Sequence, residues 1–180
     1  MQKRLNNFSL GFTLIELLLV IAILGILSVV IFVLLNPGER QAQARDAGRI
    51  SAVVQLGHAV EGYYSSRKGI YPDIDGWGDD LIETGEVSSF PSGIEYVLLD
   101  STDVCGTSIQ PGDNPTYCYD LSSEYGAIVF ARAEAGNAND RCVFPERAYF
   151  VYSTADGRGG TICSEGDPSP WAPGTMDYAN

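Results

Sequence analysis

Apolar residues follow two regimes along this chain. Residues 12–35 form one run of 24 in which Thr13, Glu16 and Ser28 are the only polar side chains. A helix of that length rises about 36 Å, enough to cross a hydrocarbon core of roughly 30 Å. The run outlasts the roughly 7–15 apolar residues of an ordinary secretory leader. It closes on Leu34-Leu35-Asn36-Pro37, which is no small-x-small cleavage site. Pro37 and Gly38 then interrupt the helix, because proline lacks the N–H that would bond to Val33 and glycine lowers helix preference further. From 39 to 64, apolar or small residues return as Ala47, Ile50, Val53, Val54, Gly57, Val60 and Tyr64, the spacing of one helical face. Arg40, Arg45, Asp46, Arg49 and Glu61 fall mostly elsewhere, so residues 36–66 are expected to continue as an amphipathic helix with one stripe packed on a globular head.

The pattern beyond Ser66 changes from helix to strand. Segments 94–99, 116–121, 126–132 and 147–152 are rich in β-branched and aromatic residues and are bounded by turn residues, which predicts four antiparallel strands. Gly157-Arg158-Gly159-Gly160 reads as a hairpin turn, and residues 71–80 as an acidic link between helix and sheet. After Cys163, Pro168, Pro170 and Pro173 flank Trp171 in an extended surface segment that packs back on the head or meets another subunit. The head, 67–180, has about 114 residues, enough for one small core. The expected fold is α+β: a long N-terminal helix whose second half packs on a small antiparallel sheet with disulfides.

Glu16 is the anomaly. A carboxylate inside a membrane span costs a few kcal/mol or more, so something must compensate its charge. A leader of residues 1–11, carrying Lys3 and Arg4, runs directly into Phe12. A cut after Gly11 would leave a free amine on Phe12, four residues from Glu16. The stretch Gly11-Phe12-Thr13-Leu14-Ile15-Glu16, with its basic leader and apolar continuation, resembles the N-terminal signature of type IV pilins and of type II secretion pseudopilins. The likeness extends over about the first 55 residues and includes Ala44-Arg45-Asp46-Ala47. It implies a precursor whose leader is removed after Gly11 by a prepilin peptidase that also methylates the new amine of Phe12. It implies as well a mature helix that polymerises with its own copies and with related pilins on an inner-membrane assembly platform, Glu16 being neutralised by a neighbour's amine. Pro37 and Gly38 would then be a flexible joint between anchor and head, the other reading of the pair being simply the exit of the helix from the membrane.

Lys3 and Arg4 precede the span without an acid beside them, which predicts a cytoplasmic amino end, a single pass through the cytoplasmic membrane and an exported head. Cys105, Cys118, Cys142 and Cys163 all lie in that head and fit an oxidising compartment. Four cysteines allow three pairings, and the two short loops favour Cys105 with Cys118 and Cys142 with Cys163. The chain has 23 acids and 11 bases; loss of Lys3 and Arg4 with the leader moves the balance from −12 to −14. A head with 19 acids and six bases offers few basic patches to displace counterions from phosphates, so direct nucleic-acid binding is disfavoured.

Asp73, Asp75, Asp79 and Asp80 are candidate oxygen ligands for calcium, which the resemblance implies for some secretion pseudopilins. The segment lacks the D-x-[DN]-x-[DN]-G loop with its distal glutamate, and a solvated acidic loop is the favoured reading. No catalytic set is legible: His58, the only histidine, falls on the helix, and there is no phosphate loop. The expected function is therefore that of a structural filament subunit, not an enzyme. The alternative is a monomeric membrane-tethered binding module with an acidic head, which predicts no cleavage after Gly11.

Overall fold

A computed structural model of the chain describes residues 12–34, 36–92 and 117–179. Gly11, Leu35, the expected strand 94–99 and Cys105 lie outside the described residues. The chain divides into two compact units at Gly38. In the first, α1 (Leu14–Leu34) contains 17 Leu, Ile, Val or Phe residues and a segment of mean hydropathy 3.1, Leu14–Ile31, long and apolar enough to cross a membrane. Its leucines, isoleucines and Val29 are exposed, for example Leu14 at 82 % and Ile26 at 68 %. Asn36 follows with φ of 40°, a left-handed conformation that short polar side chains tolerate. The next helix, α2 (Pro37–Ser66), begins on Pro37, at the position where a missing N–H costs nothing.

In the second unit α2 packs against a sheet. Its buried stripe is Ala42, Asp46, Arg49, Ala52, Val53, Leu56, Gly57, Ala59 and Val60. Val53, Gly57 and Val60 lie where the apolar spacing puts them, but Ala47, Ile50 and Tyr64 are exposed. The face is rotated because two charged residues expected on the outside, Asp46 and Arg49, are buried inside. They find partners there that offset the loss of water.

A short helix, α3 (Trp77–Glu83), follows, starting in the segment expected to be an acidic link and running three residues past it. Its first turn carries Asp79 and Asp80, favourable beside the positive helix end, and Gly76 leads into it with φ of 89°. Trp77 stacks on Tyr119 at 5.1 Å and meets the edge of Phe90 at 5.0 Å, which closes one end of the core.

Among the described residues the sheet is a four-stranded antiparallel meander in the order β1 (Cys118–Ser122), β2 (Gly126–Arg132), β3 (Arg147–Ser153), β4 (Arg158–Ser164), with a one-turn helix α4 (Gly136–Asn139) between β2 and β3. Strand alternation gives it two apolar faces. Tyr119, Ala127, Val129, Ala131 and Tyr152 form a cluster with α2 and α3. Ile128, Phe130, Tyr149, Val151 and Ile162 form a second cluster, and among the described residues this one is covered by Trp171, Met176 and Tyr178 of the C-terminal tail. The tail thus packs back on the head. Asp156 holds it there, accepting hydrogen bonds from Trp171 Nε1 (2.9 Å), Tyr178 Oη (2.8 Å) and Gly174 N (2.7 Å).

The segment expected as a hairpin turn is one only at Gly157; Arg158–Ser164 is a strand paired along β3. The glycines are there because neighbours leave no room. A Cβ on Gly160 would stand 2.3 Å from Tyr178 Cδ1, and one on Gly159 3.0 Å from Val54 Cγ2. Cys142 and Cys163 form a disulfide that ties the α4–β3 segment to β4. Cys118 is disulfide-bonded as well.

Gly57 makes the tightest helix–sheet approach, since a Cβ there would meet the Tyr152 ring at 2.3 Å. Gly57→Ala should lower stability by about 1–3 kcal/mol through overpacking, read as a fall in denaturation midpoint. Gly166→Ala, where nothing lies within 4 Å, should leave the midpoint almost unchanged.

Candidate functional site at the amino end of the apolar helix

The start of α1 is built by its own first residues. Thr13 immediately precedes the helix, and its Oγ1 accepts the backbone N–H of Glu16 at 3.3 Å. The same hydroxyl donates back to Glu16 Oε2 at 3.5 Å, and Leu17 N bonds to Thr13 O at 3.2 Å. Thr13-x-x-Glu16 is thus a capping-box pattern in which the N-cap hydroxyl satisfies an otherwise orphan N–H. The pattern stands in the sequence ahead of an apolar run, although the anomaly of the acid draws attention away from its threonine. The cap fixes the carboxylate within the first turn, where the positive end of the helix dipole favours an anion. Phe12 is 75 % exposed beside it. Among the described residues no cationic group pairs with Glu16. The chemistry available here is that of an anion on an uncovered apolar rod, open to a cation brought by another molecule.

Other sequence-derived candidates fall as follows. Pro37 and Gly38 occupy the first turn of α2. Asp80 Oδ2 accepts the N–H of Asp73 at 3.3 Å, and Asp79 shares the first turn of α3 with Asp80. Among the described residues no group of three or more His, Cys, Asp or Glu side chains is arranged to hold a metal ion. His58 lies on the exposed side of α2, its Nδ1 3.2 Å from Tyr152 Oη and 3.6 Å from Glu61.

A second polar constellation, which the sequence pattern hides, joins α2 to the β2–α4 connection. Arg49 Nη1 donates to Asp46 Oδ1 at 2.7 Å and to Glu134 Oε2 at 3.1 Å. Arg45 makes a two-pronged pair with Glu134 through Nε (2.9 Å) and Nη2. The Asp46 carboxylate also accepts the backbone N–H groups of Glu134 (3.0 Å) and Ala135 (2.8 Å), and Glu39 accepts those of Gly136 (3.1 Å) and Asn137 (3.2 Å). Two carboxylates on one helix therefore satisfy four successive N–H groups at the start of α4. Hydrogen bonds from Asn137 and Gly136 hold the Glu39 carboxyl below its usual range. The Arg45 guanidinium, then Arg49, do the same for Glu134, and Glu134 raises Arg45 in return. This arrangement is structural: three acids and two bases compensate one another and the loop backbone.

Residues 7–32 match the Prokaryotic N-terminal methylation motif, the signature of type IV pilins and pseudopilins. The match covers Phe12, Thr13, Glu16 and most of α1. It supports a pilin-like structural subunit in general, processed by a prepilin peptidase, and fits a membrane-anchored precursor. No curated protein and no solved structure matches the chain.

Asp46→Ala should cost about 3–5 kcal/mol of stability in denaturant titration, because it strips a buried guanidinium of a partner and leaves two N–H groups without an acceptor. The pH dependence has a definite sign. Glu39 and Glu134 have folded pKa values below their ordinary 4.5, so they add stability above that value and the contribution is lost as pH falls through the lowered folded values. Thermal melts from pH 7 to pH 3 should show that loss, and Glu134→Gln should flatten the acid limb.

Proposed function

We propose that the chain is the precursor of a filament subunit of the type IV pilus or type II secretion pseudopilus kind. The leader is cut after Gly11 by the prepilin peptidase, the new amine of Phe12 is methylated, and α1 passes from lipid into a fibre core of packed copies and related pilins. An inner-membrane assembly platform drives that transfer. The amino end starts on the cytoplasmic side and the head is exported. Gly11 offers the peptidase a small side chain beside the scissile bond. Phe12 supplies the cation.

The observation that carries this reading is the anion fixed by Thr13 in the first turn of an uncovered apolar helix, inside the matched motif. Magnitudes separate anchoring from assembly. A central acid costs roughly 2.5–3.5 kcal/mol on an insertion scale. Each of the 17 Leu, Ile, Val and Phe residues returns about 0.3–0.6 kcal/mol, so the helix inserts whether or not Glu16 is charged. In a dry fibre core the same anion needs a partner, and leaving one ion of a buried pair alone costs about 3–5 kcal/mol. The amine of a neighbouring Phe12 is the group of matching charge and depth.

Glu16→Val should therefore remain in the membrane fraction at wild-type levels and fail to enter filaments, as scored by shearing and immunoblot. Thr13→Ala, which removes the cap but keeps the charge, should lower filament yield less. Normal incorporation of Glu16→Val would end the role given to the acid.

A further inference from the structure

The head carries an apolar projection and a recess with an apolar floor of alanines, Ile50 and Phe150 among polar side chains, and the two do not meet within one chain. Val143 and Phe144 are 77 % and 89 % exposed, and Phe144 is the most exposed large apolar side chain in the described structure. They sit directly after Cys142, whose disulfide to Cys163 anchors the segment to β4, and Glu146 N bonds to Val143 O at 2.9 Å to close the turn. The recess is a cavity of about 290 Å³ whose apolar lining is Ala47 and Ile50 of α2, Ala135 and Ala138 around α4 and Phe150 of β3, with Gln43, Asp46, Asn137, Arg141 and Thr161 as its polar lining. Ile50 is 44 % exposed there, on the helical face that the sequence pattern assigns to the core.

We propose that Val143 and Phe144 of one head insert into this recess on a second copy of the chain. The inference rests on the filament reading above and specifies a head contact within it. Copies of a head with 19 acids and six bases repel one another, so a contact between them has to be apolar where it is closest. The recess meets that need, and the Arg141 guanidinium in its lining suits the face of an incoming aromatic ring. Projection and recess are different patches of one chain. A contact of that kind is heterologous: each copy offers one patch and receives the other, so the pairing repeats without closing unless the rotation forms a ring. A filament subunit needs that property in its head as well as in its helix. At 89 % exposure Phe144 lies outside its own recess, which leaves both patches open to a neighbour.

The test uses the full chain in its native membrane, with Ile50→Cys and Phe144→Cys separately and together. The double variant should give a ladder of disulfide-linked multimers on non-reducing gels of sheared filaments, and neither single variant should give it. Phe144→Ser should reduce filament yield while leaving the thermal midpoint of the purified full chain unchanged, since the side chain touches little in its own subunit. Filaments at wild-type yield from Phe144→Ser, with no ladder from the double variant, would overturn the contact and leave the subunit reading standing. Cross-linking of Phe144→Cys to a different protein in place of its own copies would overturn it equally. Absence of filaments from the wild-type chain would overturn both.

Discussion

An uncovered apolar helix has to be covered by something outside its own chain. The exposed side chains of α1 lose free energy in water at about 25 cal/mol for each Å² of apolar surface, and among the described residues its leucines, isoleucines and valines make up most of the exposed large apolar side chains. Lipid can cover them, and so can other copies of the same helix. The two covers differ in what they demand of Glu16. A bilayer offers the headgroup region to an acid near the end of a span, whereas a packed fibre core offers no water and requires a counter-charge. The Thr13 cap keeps the acid at one defined place on the rod, so a partner that brings a cation also sets the axial register of packing.

The second unit meets the opposite requirement, that of staying folded and solvated on its own. It does so with a sheet sealed on both faces, one by α2 and α3 and the other by a tail latched on Asp156. Its main polar investment is the group formed by Arg45, Asp46, Arg49, Glu134 and Glu39, which replaces apolar packing over the first turns of α2. Buried pairs of this kind add little net stability when complete and cost much when broken. Their effect is to specify one angle and register between α2 and the α4 loop, because four backbone N–H groups have to meet two carboxylates at once.

Much of this was legible in the residues. Continuous apolarity announced α1, its break at Pro37 marked the next helix, and β-branched and aromatic residues bounded by turn residues marked β1, β2 and β3 to within two residues. The short-loop argument paired Cys142 with Cys163. β4 escaped because Arg158-Gly159-Gly160 carries the composition of a turn, while the glycines serve close approach by Val54 and Tyr178. α3 escaped because seven residues after a Gly-Asp segment give no helical period. The rotation of α2 escaped for a different reason. A charged residue on a helix is ordinarily placed outward, and the partners that draw Asp46 and Arg49 inward lie some 85 to 89 positions away in sequence. At the candidate site the acid stood out and its cap did not, because a threonine before an apolar run looks unremarkable until its hydroxyl is seen on the Glu16 N–H.

The central claim is that the chain becomes a subunit by gaining an amine at Phe12 to set against Glu16. Intact-mass measurement with N-terminal sequencing of the protein taken from its native membrane and from sheared surface material tests it directly. The account predicts a chain that begins at methylated Phe12. A chain from both fractions that still carries residues 1–11 would contradict it, since Glu16 would then have no amine at its own level in any neighbouring copy.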